Sequence, residues 1–146
     1  MNIPLFDGHC DALYKLMATP DQHLTDSDGQ WSLHRCQQFA PQAQIFAVFA
    51  DSAQPDANAQ AAWQIQRMHQ ECALAPDRIA LCTTGTQAKE AVAAGKLAAF
   101  LSVEGAELLD CSLERLEEAH AMGVRAVNPT WNHVNALSGT NAEEPE

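Results

Sequence analysis

A chain of 146 residues with 47% hydrophobic and 18% charged side chains is long enough to bury one core and too apolar to stay disordered. Its formal net charge of -11 rests on 19 acidic residues against eight scattered Lys and Arg, which argues against a nucleic-acid backbone as partner, since that calls for basic patches. No stretch approaches the roughly 18 uninterrupted apolar residues of a membrane-spanning helix, and residues 1–20 contain Asp7, His9 and Asp11 where a signal peptide needs a long apolar run.

The first apolar run ends in Phe6-Asp7-Gly8-His9-Cys10-Asp11. Residues two apart in an extended strand share a face, about 6.5–7 Å from each other. His9 and Asp11 are therefore expected to converge, on the face begun by Ile3 and Leu5. A face that is apolar first and ionisable last suits a strand leaving a core for a metal-binding site. The competing reading is a polar turn at a strand end, because Asp-Gly is itself a turn signal.

Ala12 to Ala18 predicts a short helix, ended by Pro20. Residues 21–30 form a polar loop through Asp26-Ser27-Asp28-Gly29. A loop of this length beside a candidate site is expected to be functional, and it lacks the late Glu of a calcium loop. Ser32 to Phe39 reads as a short helix and Ala43 to Phe49 as a buried strand. Asp56 is placed as the cap of a long helix whose core stripe is Ala61, Ile65, Met68 and Cys72, with Gln60, Gln64, Arg67 and Glu71 mainly off it and His69 an ordinary surface residue.

Pro76 ends that helix before a third strand, Ile79 to Thr83. Thr86 is expected to cap a helix carrying Ala88, Ala91 and Val92, stopped by Gly95. Leu97 to Val103 is a fourth apolar strand, ending in Glu104-Gly105. Ser112 opens a helix through Leu113, Leu116 and Ala119, and Gly123 stops it before a fifth strand from Val124 to about Thr130. Such alternation indicates parallel βα units and an α/β fold. Strand ends of a parallel sheet share one rim, so His9 and Asp11, Glu104, and Thr130-Trp131-Asn132-His133 are expected to meet there. A Glu104 that merely caps its turn is the alternative.

The five cysteines, Cys10, Cys36, Cys72, Cys82 and Cys111, are odd in number and form no C-x-x-C pair, which reads as reduced thiols in a cytoplasmic protein. Cys10 lies between the two candidate ligands. Strand parity turns it to the opposite face, against a nucleophilic role.

Three segments in this order, Asp7-Gly8-His9-Cys10-Asp11, Leu101-Ser102-Val103-Glu104-Gly105-Ala106-Glu107 and Gly123-Val124-Arg125-Ala126-Val127-Asn128-Pro129-Thr130-Trp131-Asn132, resemble the membrane dipeptidase (renal dipeptidase) family, zinc peptidase family M19. The resemblance implies a TIM-like (β/α)8 barrel, with residues 1–146 as the N-terminal portion of its single domain and about its first five strands. It implies dipeptide hydrolysis at a two-zinc site, His9 and Asp11 binding the first ion and Glu104 bridging both. Imidazole and carboxylate donors suit zinc, and three protein ligands with an open position describe a catalytic site.

The sequence departs from the family in two places. Further His ligands of the second zinc, and the groups that bind the substrate carboxylate, belong to later strands, so the second zinc site is expected to be incomplete in this chain. Where many members carry a substrate-contacting His after the fifth-strand Thr, Trp131 stands here, and Trp131, Asn132 and His133 are the candidate substrate contacts. A fragment inactive alone is expected, with Leu5, Phe100 and Val127 exposed at sheet edges open to self-association or to a complementary C-terminal chain. Another amidohydrolase-type metal-dependent hydrolase and a non-catalytic remnant or binding module are the competing functions.

Overall fold

The computed structural model describes residues 5–36, 38–39 and 42–141. Ile3 lies outside them. Five strands, β1 (Leu5–Cys10), β2 (Gln42–Val48), β3 (Ile79–Leu81), β4 (Leu97–Glu104) and β5 (Val124–Asn128), form one sheet whose pairings are all parallel. The helices are α1 (Ala12–Ala18), α2 (Leu33–Cys36), α3 (Ala57–Leu74), α4 (Gly85–Ala93) and α5 (Leu113–Ala121), with a 3-10 turn at Ala106–Leu109. The expected α/β alternation is present from the first strand to the last. The second helix is only the four residues from Leu33 to Cys36, shorter than the Ser32–Phe39 segment suggested.

The sheet does not follow strict chain order. β4 lies beside β2 along most of its length, while β3 and β5 share its other edge end to end, β3 against Leu97–Ala99 and β5 against Leu101–Glu104. Three-residue β3 leaves the second half of that edge vacant, and β5 fills it. Gly123 makes the join: its φ is +103°, and a Cβ there would meet Leu81 Cδ2 at 3.1 Å. The step from β3 back to β4 reverses the direction of travel across the sheet. A right-handed crossover then delivers its helix to the opposite face. Accordingly α4 closes a small cluster of Cys82, Ala91 and Ala98 with Phe100 and Val92, whereas residues of α1, α3 and α5 join Phe46, Val48, Leu101 and Val103 in the main core.

Alternation along β4 explains its place at the centre. Leu97, Ala99, Leu101 and Val103 enter the main core, and Ala98 and Phe100 serve the small cluster, so both faces are covered and the run before Glu104 is apolar but for the buried Ser102. Phe100 and Val127 are half-buried in this packing; Leu5 and, more so, Phe6 are exposed, at 37% and 64%.

Several local signals differ from what the sequence suggested. Thr84, not Thr86, caps α4, in a capping box with Gln87: the Gln87 N–H donates to Thr84 Oγ1 at 3.2 Å and the Thr84 N–H to Gln87 Oε1 at 3.2 Å. Asp56 occupies the cap position of α3, but its carboxylate accepts from Gln60 Nε2 at 2.9 Å and makes no cap bond to the backbone. Gln64, Arg67 and Glu71 are buried, contrary to expectation. Gln64 holds the chain leaving β2, accepting from the Phe49 N–H at 3.2 Å and donating to the Phe49 carbonyl. Glu71 accepts from Arg67 Nε at 2.8 Å and from the Leu24 N–H at 2.8 Å, and its Oε1 lies 3.0 Å from His23 Nδ1.

Candidate metal centre

β1 does not deliver His9 and Asp11 by simple alternation. Its register with β2 shifts between Asp7 and Cys10, the strand ends at Cys10, and Asp11 sits at the N-cap of α1 with φ -93° and ψ 29°. The two side chains converge across the strand-to-helix corner, His9 Nε2 lying 3.3 Å from Asp11 Oδ1. Cys10 packs against the main core and also lines the cleft beside His9 and Asp11, and burial pushes its thiol up to about 12. That shift weighs against a nucleophilic thiolate at neutral pH.

Glu104 arrives from two strands away, a lateral distance of about 10 Å at ordinary strand spacing. It reaches His9 because β2 ends at Val48, paired with Val103, so Glu104 projects one residue past its β2 neighbour. Its Oε1 lies 3.3 Å from His9 Nδ1. The Glu104 side chain is 12% exposed, against 48% for His9 and 57% for Asp11. Burial raises its pKa above the usual carboxylate value, the nearby His9 lowers it, and the like charge of Asp11 adds to the rise.

One ligand atom each from His9, Asp11 and Glu104 lies within 4.8 Å of the others, and this is the single such group among the described residues. An imidazole and two carboxylates that face one another are a donor set for a borderline divalent cation such as zinc. Beside them a cleft of about 770 Å³ is lined by Asp7, Tyr14, Lys15, Asp28 and Trp31 as well as His9 and Asp11. The loop at 21–30 builds one wall. Lys15 Nζ holds Asp28 Oδ1 at 3.2 Å, Gln22 Oε1 accepts from the Asp28 N–H at 3.1 Å, and Arg35 NH1 donates to the Ser27 carbonyl at 3.2 Å.

The residues after β5 stand on the same rim but outside the ligand group. Trp131 packs on Phe49 with centroids 4.4 Å apart, Phe49 packs on Tyr14 at 5.3 Å, and His133 Nε2 lies 3.4 Å from Asp51 Oδ1. Asn132 is exposed. Tyr14, Phe49 and Asp51 were not legible as neighbours of this loop, because one aromatic on a short helix and single residues just past a strand carry no periodic signal. Sequence reading also overlooked the polar anchors of α3, although 64, 67 and 71 stand at i, i+3 and i+7, a helical stripe in their own right.

A family model for membrane dipeptidase, peptidase family M19, matches residues 1–146. The chain belongs to that family. Among its relatives, an uncharacterised protein of the PQQ-III 3' region of Acinetobacter calcoaceticus is 29% identical over 171 residues, covering 99% of this chain and 54% of its own length. The crystal structure of dipeptidase AC, an M19 metallopeptidase, has a TM-score of 0.79 at 27% identity, covering 90% of this chain and 44% of that one. A metallopeptidase from Rhodobacter sphaeroides, liganded with a phosphinate mimic of the dipeptide L-Ala-D-Ala, shares the fold at a TM-score of 0.78 and 23% identity, over 90% of this chain and 46% of that one. This M19 chain thus spans about half the length of the relatives it matches, and its five parallel strands correspond to part of their barrel-like α/β fold. Among the described residues no helix is long and apolar enough to cross a membrane.

Proposed function

We propose that this chain is the N-terminal portion of the single barrel domain of a cytoplasmic zinc dipeptidase and supplies the first half of its metal centre. The carrying observation is the convergence of His9, Asp11 and Glu104 within 4.8 Å in a member of a metallopeptidase family. His9 and Asp11 would hold one zinc ion, and Glu104, reaching in from the far side, would bridge to a second whose remaining ligands come from outside this chain. When bound, such ions polarise a peptide carbonyl and make hydroxide available near neutral pH. The chain's own part is to keep three donors converged on a rim that is open on the side of His9 and Asp11 and closed around Glu104. Trp131, Asn132 and His133, on the neighbouring loop, would contact the dipeptide.

The test is hydrolysis of dipeptides by this chain completed with a family C-terminal half. His9→Ala should lower kcat/KM by more than about 10²-fold, since loss of outer-shell support alone costs 10- to 100-fold. Full activity in that variant refutes the ligand assignment. Faster turnover of cyclic amides than of dipeptides would move the protein to another class of metal-dependent amide hydrolase.

A further inference from the structure

We propose that Glu107 and Asn135 form a clasp that fixes the loop of residues 129–138 as a roof over Glu104, making both of them positioning residues for Trp131 and His133; the functional weight of this rests on the metal-centre reading above. The course of the chain requires the roof. β5 pairs with one edge of β4 and β2 with the other, yet the loop leaving β5 places Trp131 on Phe49 and His133 on Asp51, both just past the end of β2. To do so it crosses the end of β4, where Glu104 emerges. That crossing accounts for Glu104 being the least exposed of the three donors.

Asn135 ties the near end of the roof. Its Nδ2 donates to Glu107 Oε2 at 2.6 Å and to the Pro129 carbonyl at 2.7 Å, while its Oδ1 accepts from the N–H groups of Leu137 and Ser138 at 2.8 and 3.1 Å. All four hydrogen-bonding positions of the amide are in use. The Pro129 carbonyl also accepts from the Ala106 N–H at 3.3 Å, so the loop is joined twice to the turn that follows Glu104. Gly105 makes room for this. At φ +101° it adopts a conformation that disfavours other residues, and a Cβ there would collide with the Glu107 carboxylate. The far end is held by the Phe49 and Asp51 contacts, which leaves Trp131 and His133 set at a fixed offset from Glu104. Such support is what a site needs to keep substrate-contacting groups within a fraction of an ångström of working geometry.

The test labels the three tryptophans of this chain with 5-fluorotryptophan and reads their 19F resonances, Trp131 being assigned by its loss in Trp131→Phe. In Glu107→Ala and Asn135→Ala the Trp131 line should move to its position in urea while the Trp31 and Trp63 lines stay. Glu107→Gln, which keeps an acceptor for Asn135, should leave all three lines in place. An unmoved Trp131 line in both alanine variants overturns the clasp. Should Asn135→Ala unfold the chain, the Glu107 pair decides: a shift in Ala but not Gln supports the clasp, and equal behaviour overturns it. The readout needs no metal, so a wild-type chain that fails to bind zinc in a parallel titration refutes the metal-centre reading and leaves the clasp standing.

Discussion

His9 stands between two carboxylates with a ring nitrogen toward each, both at 3.3 Å. Only one nitrogen can present a lone pair to an ion. With no ion bound, the N–H of the ring faces one of the two carboxylates, and that contact orients the imidazole. Glu104 is the donor that burial penalises, which raises its pKa above the ordinary 4.5 although His9 beside it acts to lower it. An acid with a raised folded pKa favours the folded state while protonated and loses that favour as pH rises through the folded value. Glu104→Gln should therefore raise the Tm of the metal-free chain at pH 7, and the gain should vanish below pH 4.5, as read by thermal melts across pH. The pattern of imidazole and carboxylate was legible at this scale, in His9, Asp11 and Glu104 alike. The partners of His133 and Asn135 were not, since Asp51 and Glu107 meet them through loop geometry that no spacing rule encodes.

The elements show how a correct expectation is reached by a different route. Two residues of one strand were expected to share a face; instead β1 shifts register and stops, and a helix cap supplies Asp11. Helix α3 was legible in its apolar stripe but not in its polar one. Arg67 and Glu71 form a buried pair that also binds backbone of the loop after α1: Arg67 NH1 and NH2 donate to the carbonyls of Pro20 and Gln22 at 3.2 and 2.6 Å. That loop continues to Asp28 and the cleft wall, so the pair on α3 indirectly shapes the rim. Removing one partner of a buried pair strands the other, at roughly 3–5 kcal/mol. Glu71→Ala should lower the stability of the chain by that amount in urea titrations, and Arg67→Met added to it should recover part of the loss.

At the scale of the whole molecule, the sheet of the described residues has an unpaired edge on each side. The outer edge of β1 carries Leu5 and Phe6 to solvent, and a groove of about 490 Å³ along β5 is lined by Leu116, His120 and Val127. Such edges are where further strands pair. Parallel βα alternation was legible because each unit is punctuated by Gly or Pro; the return of β4 to the side of β2 was not, because strand order depends on which edge is left vacant by the three residues of β3. That order matters for the site, since it makes β4 central and puts Glu104 between the loops of β2 and β5.

The central claim is that His9, Asp11 and Glu104 hold a divalent ion together. X-ray absorption at the zinc edge of the metal-loaded chain tests it most directly. Nitrogen and oxygen neighbours only are expected, at about 2.0–2.2 Å and with one imidazole, and that signature should be lost in His9→Ala. A sulfur neighbour at about 2.3 Å, or an unchanged spectrum in the variant, would contradict it.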